Sequence, residues 1–448
     1  MIRKIVYIAT GCLLGGYLYM NILHKSLFAI CVGAFSFGSI CHASALPHPV
    51  VEAVAEVYGD GIALSAVILD YGQPIAASSV DTADFSVPGR NIIQAYVADH
   101  AAKGDQKLDA GKFVVLELEP LPMTDQGMEP VHDENDRAAR KKVGKNGPEL
   151  GSHGNPQPLK KVTAEVRQQG TLKGSDGTLY PPAETWQSSH TRELLVEDFT
   201  QGVFTDSKQN DAQLMYNLYI PRDYDPAKQY PLVLFMHDAG TVSPEIKATL
   251  YQGKGAVAWT TPEWQEKHPC FVLAPQYDTV IVDDNYDYGP ELDRTMHLIE
   301  ELATKYSIDK KRIYNTGQSM GGMTSIAMDV KYPDFFAASY LVACKWDENV
   351  TSPLGSQNIW AVAAQGDPGA SPSMTKILDG LENNGAKVLR QTLDTTVSQT
   401  DMDKQALSMI EPGCHIYYTL YTGGSHRSTW QHAYDLLPAM EWIFAQHK

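Results

Sequence analysis

The chain lacks the spacings that mark a metal or redox protein. No Cys-x-x-Cys and no His-x-x-x-His pair occurs among its six cysteines and 14 histidines, which removes zinc-ribbon, zincin and thioredoxin-like readings. Basic residues are few, 36 Lys and Arg against 53 Asp and Glu. That balance argues against a nucleic-acid or anionic-membrane partner. An uninterrupted apolar run of about 20 residues, the length a membrane span needs, is also missing, because Asn21, His24 and Lys25 split the apolar amino terminus.

That amino terminus reads as an export leader. Arg3 and Lys4 precede apolar residues Ile5 to Tyr19, and a second apolar run, Leu27 to Cys41, leads into Ala43-Ser44-Ala45. The pattern predicts a signal peptide over 1–45, cleaved before Leu46, with an alternative start at Met20. Its loss leaves 36 − 3 basic against 53 acidic residues, a formal net of −20. A secreted or periplasmic protein is expected, with no membrane attachment after cleavage. Cys12, Cys31 and Cys41 go with the leader. Cys270, Cys344 and Cys414 remain, an odd set beside apolar runs, expected as buried free thiols, although one disulfide among them stays open.

Residues 46–195 predict a small all-β sandwich. Val51, Ala53, Ala55 and Val57 alternate with Glu52 and Glu56, and Val114, Leu116 and Leu118 with Glu117 and Glu119, the period of a half-buried strand. A polar, Gly/Pro-rich loop is expected at 121–161. From 196 to 448 short apolar runs alternate with helical patterns, which predicts an α/β domain with a mostly parallel sheet covered on both faces. Ligands of such sheets sit at the carboxyl ends of the strands.

At one such end stands "RIYNTGQSMGG", Arg312 to Gly322. A strand, a Gly-x-Ser-x-Gly turn and a helix make a nucleophile elbow, which nominates Ser319. Serine needs a base, and the base an acid that fixes its tautomer. His426, beyond the apolar run His415 to Gly424, is the candidate base. Asp367 ends "IWAVAAQGD" and is the candidate acid, with Asp394 after "VLRQTLD" as its rival. An oxyanion hole would take the N–H of Met320 and a donor from the loop after "LFMHDAG", either Asp238 or Ala239. Among Trp259, Trp264, Trp346 and Trp430, the last is the candidate for lining a substrate pocket. The acidic stretch Asp283 to Asp293 lacks a recognised calcium-loop spacing and reads as a solvated loop.

From about Gln213 onward the chain resembles the α/β-hydrolase esterases and predicted peptidases related to polyhydroxybutyrate depolymerases and feruloyl esterases. The resemblance rests on "YPLVLFMHDAG", "HPCFVLAPQY", "RIYNTGQSMGGM" and "GGSHRSTWQHAY". Members with an amino-terminal immunoglobulin-like domain are the most similar, since a β-rich segment comes first here too. The resemblance implies an α/β-hydrolase fold behind an immunoglobulin-like domain, and hydrolysis of an ester, polymeric or aromatic, through an acyl-enzyme without a cofactor. Peptide hydrolysis and a non-catalytic surface-binding role are the alternatives. One departure is His237-Asp238 where the family has His-Gly.

Overall fold

The computed structural model describes residues 48–59, 61–121, 148–154, 156 and 158–448. The leader, its cleavage site and most of the polar stretch 121–161 lie outside the described residues.

The amino-terminal β region centres on a five-stranded sheet in the order His190–Glu193, Val50–Tyr58, Gly61–Ala76, Ala110–Leu118, Ile92–Ala98. Short ladders built from Phe85–Ser86, Glu165–Gln168 and Thr185–Gln187, and from Leu172–Lys173 and Leu179–Tyr180, complete it. Val51, Ala53, Val67, Leu69, Val114 and Leu116 pack with Phe85, Val166 and Leu172 from these ladders. Val51, Ala53, Ala55 and Val57 are all buried, as the alternation implies. The second strand carries one extra residue, Ser65, where the pairing steps from Val54–Ala66 to Ala55–Leu64, and this turns Ile62 to the side of Ala55 and Val57. These three residues, at the hairpin end, join the core of the following domain.

That domain is built on a nine-stranded sheet in the order Phe199–Asp206, Ala212–Tyr219, Phe271–Gln276, Tyr230–Met236, Ile308–Gln318, Ala338–Val342, Ile359–Ala364, Ile416–Tyr421, Val388–Leu393. The first two strands are antiparallel to their neighbours and the other seven run parallel. The central parallel strands are buried throughout, which is why they read as continuous apolar runs. Helices Glu291–Lys305, Met320–Lys331, Ala370–Asn383 and Leu437–Phe444 bury their apolar residues in the same core.

The strand order decides what meets at the carboxyl edge. Ile416–Tyr421, last in sequence, is inserted beside Ile359–Ala364 and not at the edge, with Tyr421 paired to Ala364. Met236 is paired with Gly317, and Gln318 with Val342. The loops that follow Met236, Gln318, Ala364 and Tyr421 thus leave the sheet on one side. Cys270, Cys344 and Cys414 are buried and free. Burial pushes the Cys270 thiol up to about 12, far from a reactive thiolate.

Candidate active site

Ser319 has φ 56° and ψ −118°, a backbone conformation that side chains rarely adopt. The glycines around it are required by contact. A Cβ on Gly317 would lie 2.5 Å from the Gly321 carbonyl carbon, one on Gly321 would lie 1.9 Å from the Met236 carbonyl oxygen, and one on Gly322 would lie 2.7 Å from Cys344 Cβ. The helix Met320–Lys331 is thereby pressed onto the strand ends, and Ser319 is lifted clear of them. Its own N–H donates to the Val342 carbonyl at 3.0 Å, and its carbonyl accepts from Met323 N–H at 2.9 Å.

His426 opens the helix His426–Ala433, capped by Ser425, whose side chain accepts from Ser428 N–H. Its Nε2 lies 2.9 Å from Ser319 Oγ, and its Nδ1 lies 2.5 Å from Asp367 Oδ2. The second Asp367 oxygen accepts from the N–H groups of Gly369 at 2.9 Å and Ala370 at 3.0 Å. Asp367 is 2% exposed. Burial pushes its carboxyl up, but the hydrogen bonds from His426, Ala370 and Gly369 outweigh this and hold it below the ordinary carboxylate range. A second glycine contact fixes the spacing of acid and imidazole. Gly366 N–H donates to the Gly423 carbonyl at 2.8 Å, and a Cβ on Gly366 would fall 2.0 Å from the Gly424 oxygen.

The rival acid is elsewhere. Asp394 follows the edge strand Val388–Leu393 and accepts from Thr396 N–H at 2.9 Å and its hydroxyl at 2.7 Å. These bonds keep its exposed carboxyl below the ordinary range, and its partners are Thr396 and Thr422, not His426.

The loop after Met236 differs from the expectation in detail. His237 is fully buried. Its Nε2 accepts from Tyr277 N–H at 3.0 Å, so the proton sits on Nδ1, which donates to the Asp238 carbonyl at 2.7 Å. Burial lowers the imidazole pKa, consistent with this neutral tautomer. In a planar trans peptide C=O and N–H point in opposite directions, so this bond aims the Ala239 N–H away from His237. The Asp238 N–H is itself taken by Gln252 Oε1 at 3.1 Å. Of the two candidates, Ala239 is the one whose N–H the loop leaves available. Asp238, at φ −75° and ψ 169°, needs no glycine, and its carboxylate lies 3.3 Å from the Thr241 hydroxyl, whose one proton it shares with Gln252 Oε1.

Trp430 packs edge-on to His426, ring centres 5.4 Å apart at 79°. It is 3% exposed, so it backs the imidazole instead of offering an open face. Trp259 and Trp264 pack with each other and with Phe444 in the core, and Trp346 packs on Tyr286. In the acidic stretch, Asp283 accepts from Asn285 and Asp287 N–H, Asp284 pairs with Lys345, and Asp293 pairs with Lys331. Among the described residues no group of three or more His, Cys, Asp or Glu side chains is placed to hold a metal ion. Sequence reading missed Gln252, Gln276 and Gln318, the amides that tie down the loop after Met236, because isolated glutamines carry no pattern.

Residues 50–181 match the family model of the esterase Ig-like N-terminal domain. The fold is that of an α/β-hydrolase behind an Ig-like domain. The crystal structure of a thermostable esterase is 24% identical, with a TM-score of 0.70, and covers 89% of this chain and 100% of its own. The feruloyl esterase module from Clostridium thermocellum is 16% identical over 54% of this chain and 87% of its own, at a TM-score of 0.38. A fluorophosphonate-binding serine hydrolase of Staphylococcus aureus is 11% identical over 55% and 98%, at 0.39. Both of the last two are too distant to carry weight. No curated protein matches the sequence.

Proposed function

We propose that this chain is an exported serine hydrolase of carboxylic esters. The observation that carries the reading is the unbroken hydrogen-bonded line from Ser319 Oγ through His426 to Asp367, set on a strained elbow. Ser319 attacks the ester carbonyl while His426 Nε2 takes its proton, and Asp367 holds the imidazole in that tautomer and stabilises the imidazolium. Charge developing on the carbonyl oxygen is met by the N–H groups of Met320 and Ala239. His426 returns the proton to the leaving alcohol, and water releases the acyl group by the reverse sequence.

Preference for an ester over a peptide is supported by the match of the amino-terminal region to a domain named from esterases. Export rests on the leader, with Leu46 as the first mature residue, which N-terminal sequencing of exported protein checks. Turnover is tested on acyl esters of graded chain length, an aryl ester and a peptide amide, with Ser319→Ala as control. Ester hydrolysis that disappears in a folded Ser319→Ala protein is the expected result. Preferential cleavage of the amide would transfer the reading to a peptidase, and esterase activity surviving in Ser319→Ala would end it.

A further inference from the structure

Gln252 lies outside the Ser319, His426 and Asp367 line, yet its side chain joins the two halves of the proposed oxyanion site. Oε1 accepts from the backbone N–H of Asp238 at 3.1 Å, from the hydroxyl of Thr241 at 3.2 Å and from Nε2 of Gln318 at 3.2 Å. Nε2 of Gln252 donates to the Thr249 carbonyl at 3.3 Å. The amide orientation is fixed by its partners, because a backbone N–H can only donate and a carbonyl can only accept. Asp238 and Thr241 flank Ala239, and Gln318 immediately precedes Ser319. One carbonyl oxygen therefore bridges the loop that supplies one oxyanion donor and the elbow that supplies the other.

The segment carrying Gln252 is held from the amino-terminal domain. Tyr251 donates its hydroxyl to Glu193 in a short hydrogen bond, and Lys247 pairs with the same carboxylate at 2.9 Å. A Cβ on Gly253 would lie 2.9 Å from the Gly59 carbonyl oxygen, and one on Gly59 would lie 2.6 Å from the Cα of Gln431. The tip of the first β-hairpin thus touches both the residue after Gln252 and the helix that begins with His426.

We propose that Gln252 is a positioning residue that holds the Ala239 and Met320 N–H groups in register, and that the Ig-like domain, through Glu193, buttresses it. This rests on the esterase reading above. Positioning of a preorganised donor pair acts on the transition state and little on ground-state binding.

The test uses the full-length mature protein and one soluble aryl ester. Gln252→Met keeps the length and bulk of the side chain and removes the acceptor. It is expected to lower kcat by about tenfold or more, toward the range of a lost oxyanion donor, while KM stays near wild type. Affinity for a trifluoromethyl ketone, whose serine adduct carries an oxyanion, should fall by the same factor as kcat/KM. Glu193→Ala, at a partly exposed position outside the site, should move kcat and ketone affinity in the same direction by a smaller factor without unfolding the protein. The proposal is overturned if ketone affinity is unchanged in a folded Gln252→Met. Should that variant fail to fold, unchanged ketone affinity in Glu193→Ala overturns it. Neither failure would touch the esterase reading, which stands or falls on Ser319→Ala.

Discussion

Ser319 is one of six non-glycine residues at positive φ among the described residues, and its ψ of −118° lies outside the left-handed helical region. A side chain held in a sparsely populated backbone region costs about 1–3 kcal/mol, offset here by its bonds to Val342 and Met323 and by the glycine contacts that leave the elbow no other path. Asp367 carries the opposite economy, a buried charge whose oxygens are committed to His426, Gly369 and Ala370. Asp367→Asn should therefore lower kcat by about 10⁴-fold, as expected when the wrong imidazole tautomer is favoured. Asp394→Asn, on an exposed turn, should leave kcat unchanged. Steady-state kinetics on both variants decides, and a large loss confined to Asp394→Asn would reassign the acid. Both acids follow a strand, so sequence order favoured Asp367 and kept Asp394 as its rival. The separation comes from strand order in space, which no local pattern encodes.

At the scale of elements, the helix Met320–Lys331 does more than present its first turn to the elbow. Asp329, near its far end, is fully buried, with Oδ1 accepting from Asn315 Nδ2 at 2.9 Å. Burial raises its carboxyl to about 7, against lowering by hydrogen bonds from Ser339 and Asn315. A carboxyl that binds its proton more tightly when folded makes the native state the more protonated one between its ordinary value of 3.8 and about 7. Stability contributed by this group is then lost as pH rises through that window. Asp329→Asn should gain on wild type in melting temperature from pH 4 to pH 7, and a difference constant with pH would contradict it. The elbow, its strand and its helix were legible because three glycines and an apolar run mark them. The clasp between Gly366 and Gly424 and the shift at Val54/Ala55 were not, since close backbone approach and a changed register leave no periodic trace.

At the whole-molecule scale the two domains meet in a shared apolar cluster, while the amino-terminal domain keeps a core of its own. Ala55, Val57 and Ile62 at the hairpin end pack among residues of the second domain, so each domain buries apolar surface against the other. Ile62→Ala should destabilise the protein by about 2–5 kcal/mol, the usual cost of truncating a buried isoleucine. Calorimetry should show this as a downward shift of one shared transition. Two separate transitions, with only one of them shifted, would argue that the domains unfold independently. The β character of the amino-terminal region was readable from its alternation, whereas its grip on the neighbouring domain depends on the hairpin tip meeting Gln431 and Gly253, contacts made across long stretches of chain.

The central claim, that Ser319 is a nucleophile activated by His426, is tested most directly by mapping the adduct of a fluorophosphonate on the intact protein by peptide mass spectrometry. The expected result is a single adduct on the peptide spanning Arg312 to Gly322, located at Ser319 and lost in His426→Ala. An adduct at another serine, or unmodified Ser319 in a preparation that fully loses esterase activity to the reagent, would contradict it.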